Sequence, residues 1–91
     1  MYIAKIKVEE GLLASPDYVE MVYTTKTYFV CLYSLPRKNF YACSENLLNR
    51  KKTSVAQFRT KIIARIEAKR LIGRCSFFHN AKIIVIIKKV E

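Results

Sequence analysis

Glycine and proline are scarce in this chain, with two of each, and tryptophan is absent. So little glycine excludes a glycine-rich phosphate loop, and so little proline excludes a polyproline or linker-like tract. There is one histidine, His79, and it stands in a stretch that reads as a turn, so a histidine base has little support. Cysteine comes to three, Cys31, Cys43 and Cys75, an odd number with no close pair. That count does not fit a disulfide scaffold, and without C-x-x-C or Cys/His spacing it does not fit a zinc site. Cys31 and Cys43 read instead as reduced, buried small hydrophobes, which implies a reducing compartment such as the cytoplasm. No apolar run exceeds the stretch from Tyr28 to Tyr33, far short of the roughly 20 residues a spanning helix needs. Met1-Tyr2-Ile3-Ala4-Lys5 has no charged head ahead of a long apolar stretch and is not expected to be a signal peptide.

Acidic residues are the last shortage: seven against seventeen Lys and Arg, a net charge of +10. With 52% apolar residues in 91, the chain is expected to fold as a single compact domain, 1–91. The charge is uneven. Residues 1–36 sum to −1, residues 37–74 to +9 and residues 75–91 to +2. A patch of this kind points to a polyanionic partner more than a diffuse charge would.

Residues Tyr2 to Val8 alternate with a period of two and predict a half-buried strand ended by Glu9-Glu10-Gly11. Ser15-Pro16-Asp17 is a good helix opening, which favours a short helix over residues 16–23; a strand over Tyr18 to Tyr23 is the competing reading. Thr27 to Ser34 and Asn39 to Ser44 read as a hairpin turning at Leu35-Pro36-Arg37-Lys38. Ser54 and Gln57 form a capping box ahead of Val55, Phe58, Ile62, Ile63 and Ile66 at helical spacing. With Gly73 as a stop signal, this predicts a long helix over residues 55–72 whose apolar face meets the core. Arg74 to Phe78 and Lys82 to Val90 read as extended, and Ile83 to Ile87 lacks polar alternation, as a strand covered on both faces would.

The expected fold is α+β: a small antiparallel or mixed sheet of four to five strands on one long helix. The order β-α-β-β-α-β matches a ferredoxin-like split sandwich. That topology would put the most apolar strands at the edges, so either those edges pair with a second subunit or the last strand is internal. An open apolar sheet face would likewise suit a protein contact or a homodimer.

The candidate site follows from the charge. On a helix, Lys61, Arg65 and Lys69 form one i, i+4 stripe beside the apolar face, with about 6 Å of rise between neighbours, and Arg59 and Arg70 flank the other edge of that face. Arg50, Lys51 and Lys52 precede the helix start, which itself attracts anions. These residues read either as a solvated face or as a rail for phosphates. Arg37 and Lys38 stand beside Phe40 and Tyr41, a pairing of cations with rings that could serve phosphate contact and base stacking or plain sheet packing.

No paired carboxylates, Cys–His set, metal site or cofactor motif is evident, so the chain is not expected to be an enzyme. Small ribonuclease toxins resemble it in size and basicity and would need only Arg, Lys and Tyr, but they usually begin with paired helices. The leading expectation is a small basic nucleic-acid-binding protein, for DNA or RNA, with no metal or cofactor and no membrane segment. The alternative is an interaction module, of the kind viral or mobile-element inhibitors use, that docks on an acidic protein or nucleoprotein surface.

Overall fold

The computed structural model describes residues 1–34, 39–45 and 55–90. Strand β1 spans Tyr2–Ser15, β2 Tyr18–Val22, β3 Lys26–Ser34 and β4 Asn39–Ser44; helix α1 spans Lys61–Arg74 and β5 Asn80–Lys89. A 3-10 turn, Ser76–Phe78, joins α1 to β5. All strand pairings are antiparallel, so the fold is α+β with a five-stranded sheet.

β1 organises the sheet. On one side it pairs with β5 from Tyr2↔Lys89 to Leu12↔Asn80. On the other, Lys5 to Val8 pair with β3, and Gly11 to Ser15 form a hairpin with β2. Between the two halves the register against β5 slips between Val8 and Glu10, a bulge that bends the strand. Gly11, just past it, has φ +122°, a conformation that side-chain-bearing residues rarely adopt.

This arrangement corrects the reading of residues 16–23 as a helix. Pro16-Asp17 is a two-residue turn between Ser15 and Tyr18, and Tyr18–Val22 is a strand. Only Val22 of that strand is buried, so its ladder with β1 holds the segment more than burial does. The free edge of β1 beyond its bulge offers β2 a ladder instead. With the first helix gone, the ferredoxin-like order is not met; α1 is the one α-helix among the described residues.

The helix start also moves. Residues 55–58 are extended and fill the gap where β1 and β3 splay apart: Tyr2 and Phe58 exchange both backbone hydrogen bonds (2.7 and 2.8 Å), and the Ala56 amide donates to the Val30 carbonyl at 2.9 Å. Ala56 and Phe58 are buried and Gln57 is exposed, the alternation of a strand. The true N-cap is Thr60, whose Oγ1 accepts from the Ile63 amide at 3.1 Å. Gln57 therefore caps nothing, and Ser54 lies outside the described residues. At the other end Gly73 stays inside the helix and Cys75 is the C-cap. Residues 74–78, expected to be extended, are the helix end and the 3-10 turn.

The core lies between α1 and one face of the sheet: Ala4, Ile6 and Val8 of β1, Tyr28 and Val30 of β3, and Phe58, Ala64, Ala68, Leu71 and Phe78. Ala64 and Ala68 are fully buried, and their small side chains bring the helix close to the strands. β5 alternates instead of being covered on both faces. Ile83, Val85 and Ile87 pack on the core, while Ile84 and Ile86 are 42% and 40% exposed.

Candidate functional site: the outer face of helix α1

α1 presents a different face to the sheet from the one its isoleucines suggest. At about 100° per residue, Ala64, Ala68 and Leu71 share the inward side. Ile62, Ile63 and Ile66, expected in the core, are turned outward, and Ile62 is 71% exposed. The physical reason is space: the close helix–sheet approach admits alanine and excludes isoleucine. The alanines and the isoleucines each recur at helical spacing on opposite sides of α1, so periodicity alone does not fix which side turns inward.

The cations follow from that phase. Lys61, Arg65 and Lys69 are all exposed and line up along the flank between the buried alanines and the outward Ile62 and Ile66. Lys61 Nζ lies 5.9 Å from the centre of the Tyr2 ring, a contact that leaves its charge open to solvent. Arg59 is exposed as well, but in the turn before Thr60 and not on the helix. Arg70 lies on the far flank and pairs with Glu67 at 3.2 Å, so its charge is partly answered. Among the described residues Arg59, Arg65 and Lys69 have no carboxylate within ion-pair distance. The first helical turn carries no acid, and the last ends on exposed Arg74, a cation the sequence reading did not assign to the site. Arg37, Lys38, Arg50, Lys51 and Lys52 lie outside the described residues. Phe40 packs on Phe58 with ring centres 5.3 Å apart, which gives it a place in the core cluster.

A cavity of about 570 Å³ opens at the other side of the helix. Its walls include Tyr18, Lys26, Tyr28, Leu71, Phe77 and Phe78. Tyr28 meets Phe77 and Phe78 edge-on, with ring centres 6.0 and 5.3 Å away. Lys26 Nζ lies over both Tyr18 and Tyr28 and pairs with Glu20 at 2.5 Å; the Tyr18 hydroxyl donates to the same carboxylate. Lys26 and Tyr18 together hold Glu20 below its ordinary range. Burial pulls Lys26 down, yet its interactions with Glu20 and Tyr28 together outweigh this and leave it above its ordinary value. Burial raises Tyr28. Leu71 stands about 200° round the helix from Lys69, so cavity and rail open on different sides. Finding the Lys26–Glu20 pair from sequence would have required the hairpin reading of residues 15–22.

Compared with protein-family models, with curated proteins and with solved structures, the chain matches none. Its chemistry must therefore be read from its own residues. Among the described residues no three His, Cys, Asp or Glu gather to hold a metal ion, and His79 is exposed beyond the 3-10 turn. No helix among the described residues is long and apolar enough to cross a membrane. Burial pushes the Cys31 thiol up to about 12, with Cys43 beside it adding to the shift.

Proposed function

We propose that the chain is a non-catalytic binding protein that grips the phosphate backbone of a nucleic acid along the outer flank of α1. The observation that carries this reading is the row Lys61, Arg65 and Lys69, exposed together with Arg59 and unanswered by carboxylates among the described residues. Neighbours in that row rise by about 6 Å, close to the spacing of successive phosphates on a strand. Like charges so placed repel by a few tenths of a kcal/mol per pair, a cost that a polyanion reverses. Arg50, Lys51 and Lys52, which precede α1 in the sequence, are proposed to add phosphate contacts, with Arg37 and Lys38 in a secondary role.

Gel retardation of DNA and RNA at about 50 mM salt tests this reading. The full chain is expected to retard nucleic acid, and the triple variant Lys61→Ala, Arg65→Ala, Lys69→Ala to lose most of that retardation while staying folded. Failure of the full chain to retard either polymer contradicts it.

One observation favours a second reading. Ile62, Ile63 and Ile66 stand exposed beside the cations, and aliphatic side chains do not stack on bases. Apolar residues rimmed by Lys and Arg suit a protein groove with an apolar floor and acidic walls. Replacing Ile62 and Ile66 by Ser separates the two: nucleic-acid binding is expected to be unchanged, whereas docking in a protein groove would be lost.

A further inference from the structure

We infer that β5 is a homodimer interface: two copies of the chain join edge to edge, antiparallel, about a two-fold axis through Val85. Three features of the strand lead to this. First, among the described residues β5 pairs only with β1, so its outer edge runs unpaired for the length of the strand. Such edges recruit other strands unless blocked, and neither a proline nor a bulge in β5 itself interrupts Ile83 to Lys89.

Second, the direction of the backbone groups is fixed. The Val90 amide donates to the Met1 carbonyl at 2.9 Å, and the ladder runs on from Tyr2↔Lys89. Alternate residues of an antiparallel ladder aim both backbone groups the same way, so Lys88, Ile86 and Ile84 bond to β1. Tyr2 spends its own groups on Phe58, on the side away from β5, as this phase requires. Ile83, Val85, Ile87 and Lys89 therefore point their N–H and C=O groups outward.

Third, the sequence of that edge is its own mirror. Lys82-Ile83-Ile84-Val85-Ile86-Ile87-Lys88 reads the same in both directions about Val85. A two-fold axis there sets Val85 against Val85 of the second copy and Ile83 against its Ile87, all with outward backbone groups. It also sets Ile84 against Ile86 of the second copy, so four half-exposed isoleucines cover one another on the face away from α1. Moving the axis to Ile84 or Ile86 keeps the hydrogen-bond phase but sets a lysine against an isoleucine. The Val85 register alone matches each residue from Ile83 to Ile87 with another aliphatic one. It places Lys82 against Lys88 of the second copy at each end, a modest repulsion eased by Glu9, which pairs with Lys82 at 3.4 Å. In an antiparallel pair of this kind both helices lie on one face of a continuous sheet.

Light scattering on the full chain at about 100 μM should give twice the 10.6 kDa of one chain. Because lysines are the only charges that meet, added salt should strengthen the dimer, opposite to its effect on polyanion binding. Val85→Pro removes an outward amide and leaves the β1 ladder whole; it should be monomeric. Should that variant fail to fold, Ile86→Lys, at an exposed position, should fold and weaken dimerisation at least tenfold. In a Cys75→Ser background, oxidising a mixture of Ile84→Cys and Ile86→Cys chains should give a cross-linked dimer, and either chain alone much less. A monomer at that concentration overturns the proposal, and so does cross-linking of Ile84→Cys alone as efficient as that of the mixture.

Discussion

Gly11 faces Ala81 across the β1–β5 ladder so closely that a Cβ on Gly11 would stand 2.6 Å from the Ala81 Cα and equally near the Asn80 carbonyl oxygen. With φ at +122° the backbone there resists a side chain even without that clash. Gly73, in contrast, lies inside α1 with no atom within 4 Å of where a Cβ would sit. Gly11→Ala should lower stability by well over about 1 kcal/mol, and Gly73→Ala should raise it by about 0.5–1 kcal/mol. Urea unfolding of the two variants checks both signs at once.

The inward phase of α1 is testable in the same way. Ala68→Leu adds methylenes to a position with no exposed surface and should cost about 1–3 kcal/mol. Ile66→Ser lies outside that contact and should change stability by no more than about 0.5 kcal/mol. The reverse ranking would mean that the isoleucines face the sheet.

The Glu20–Lys26 pair makes stability depend on pH at both extremes. Glu20 titrates below its ordinary value of 4.5, so the stability it adds is complete above that value and is lost as pH falls through the lowered one. Lys26 titrates above its ordinary value of 10.5, so its share is complete below 10.5 and is lost as pH climbs through the raised value. Glu20→Gln should therefore lower Tm at neutral pH, and its gap from the parent chain should close on strong acidification. A gap that persists unchanged in acid would show that the pair is not the cause.

The cysteines should separate by accessibility. Cys31 and Cys43 are buried and the Cys31 thiol is held at about 12, while Cys75 is half-exposed at the C-cap of α1. Alkylation at about pH 8 should modify Cys75 quickly and the other two only when the chain opens. Rapid modification of Cys31 in the folded protein would contradict its burial on the paired strands β3 and β4.

The strands were the more legible part of this fold. The alternation of Tyr2 to Val8 and the β-branched and aromatic run of β3 identify themselves, and β4 falls at Asn39–Ser44 as expected. β1, however, does not end at Glu9-Glu10-Gly11: it bends at its bulge there and runs on to Ser15. Residues 16–23 misled because Ser15-Pro16-Asp17 opens a helix and a two-residue turn equally well; the free edge of β1 decided between them. The start of α1 misled for a related reason. Ser54 and Gln57 have capping-box spacing, but the gap between β1 and β3 supplies Ala56 and Phe58 with ladder partners that no local pattern reveals. The i, i+4 relation of Lys61, Arg65 and Lys69 needed only that these residues be helical. The outward turn of Ile62, Ile63 and Ile66 depended on how near the helix sits to the sheet.

The salt dependence of binding is the most direct test of the proposed function. Titrating the full chain onto labelled DNA or RNA across a salt series should give log K against log salt with a slope of roughly −3 to −5, as expected for about four to six phosphates. Lys61→Ala, Arg65→Ala, Lys69→Ala should make that slope shallower by about 2 to 3 without loss of fold. A slope near zero, or one the triple substitution leaves unchanged, would contradict the assignment of α1 as the phosphate-binding surface.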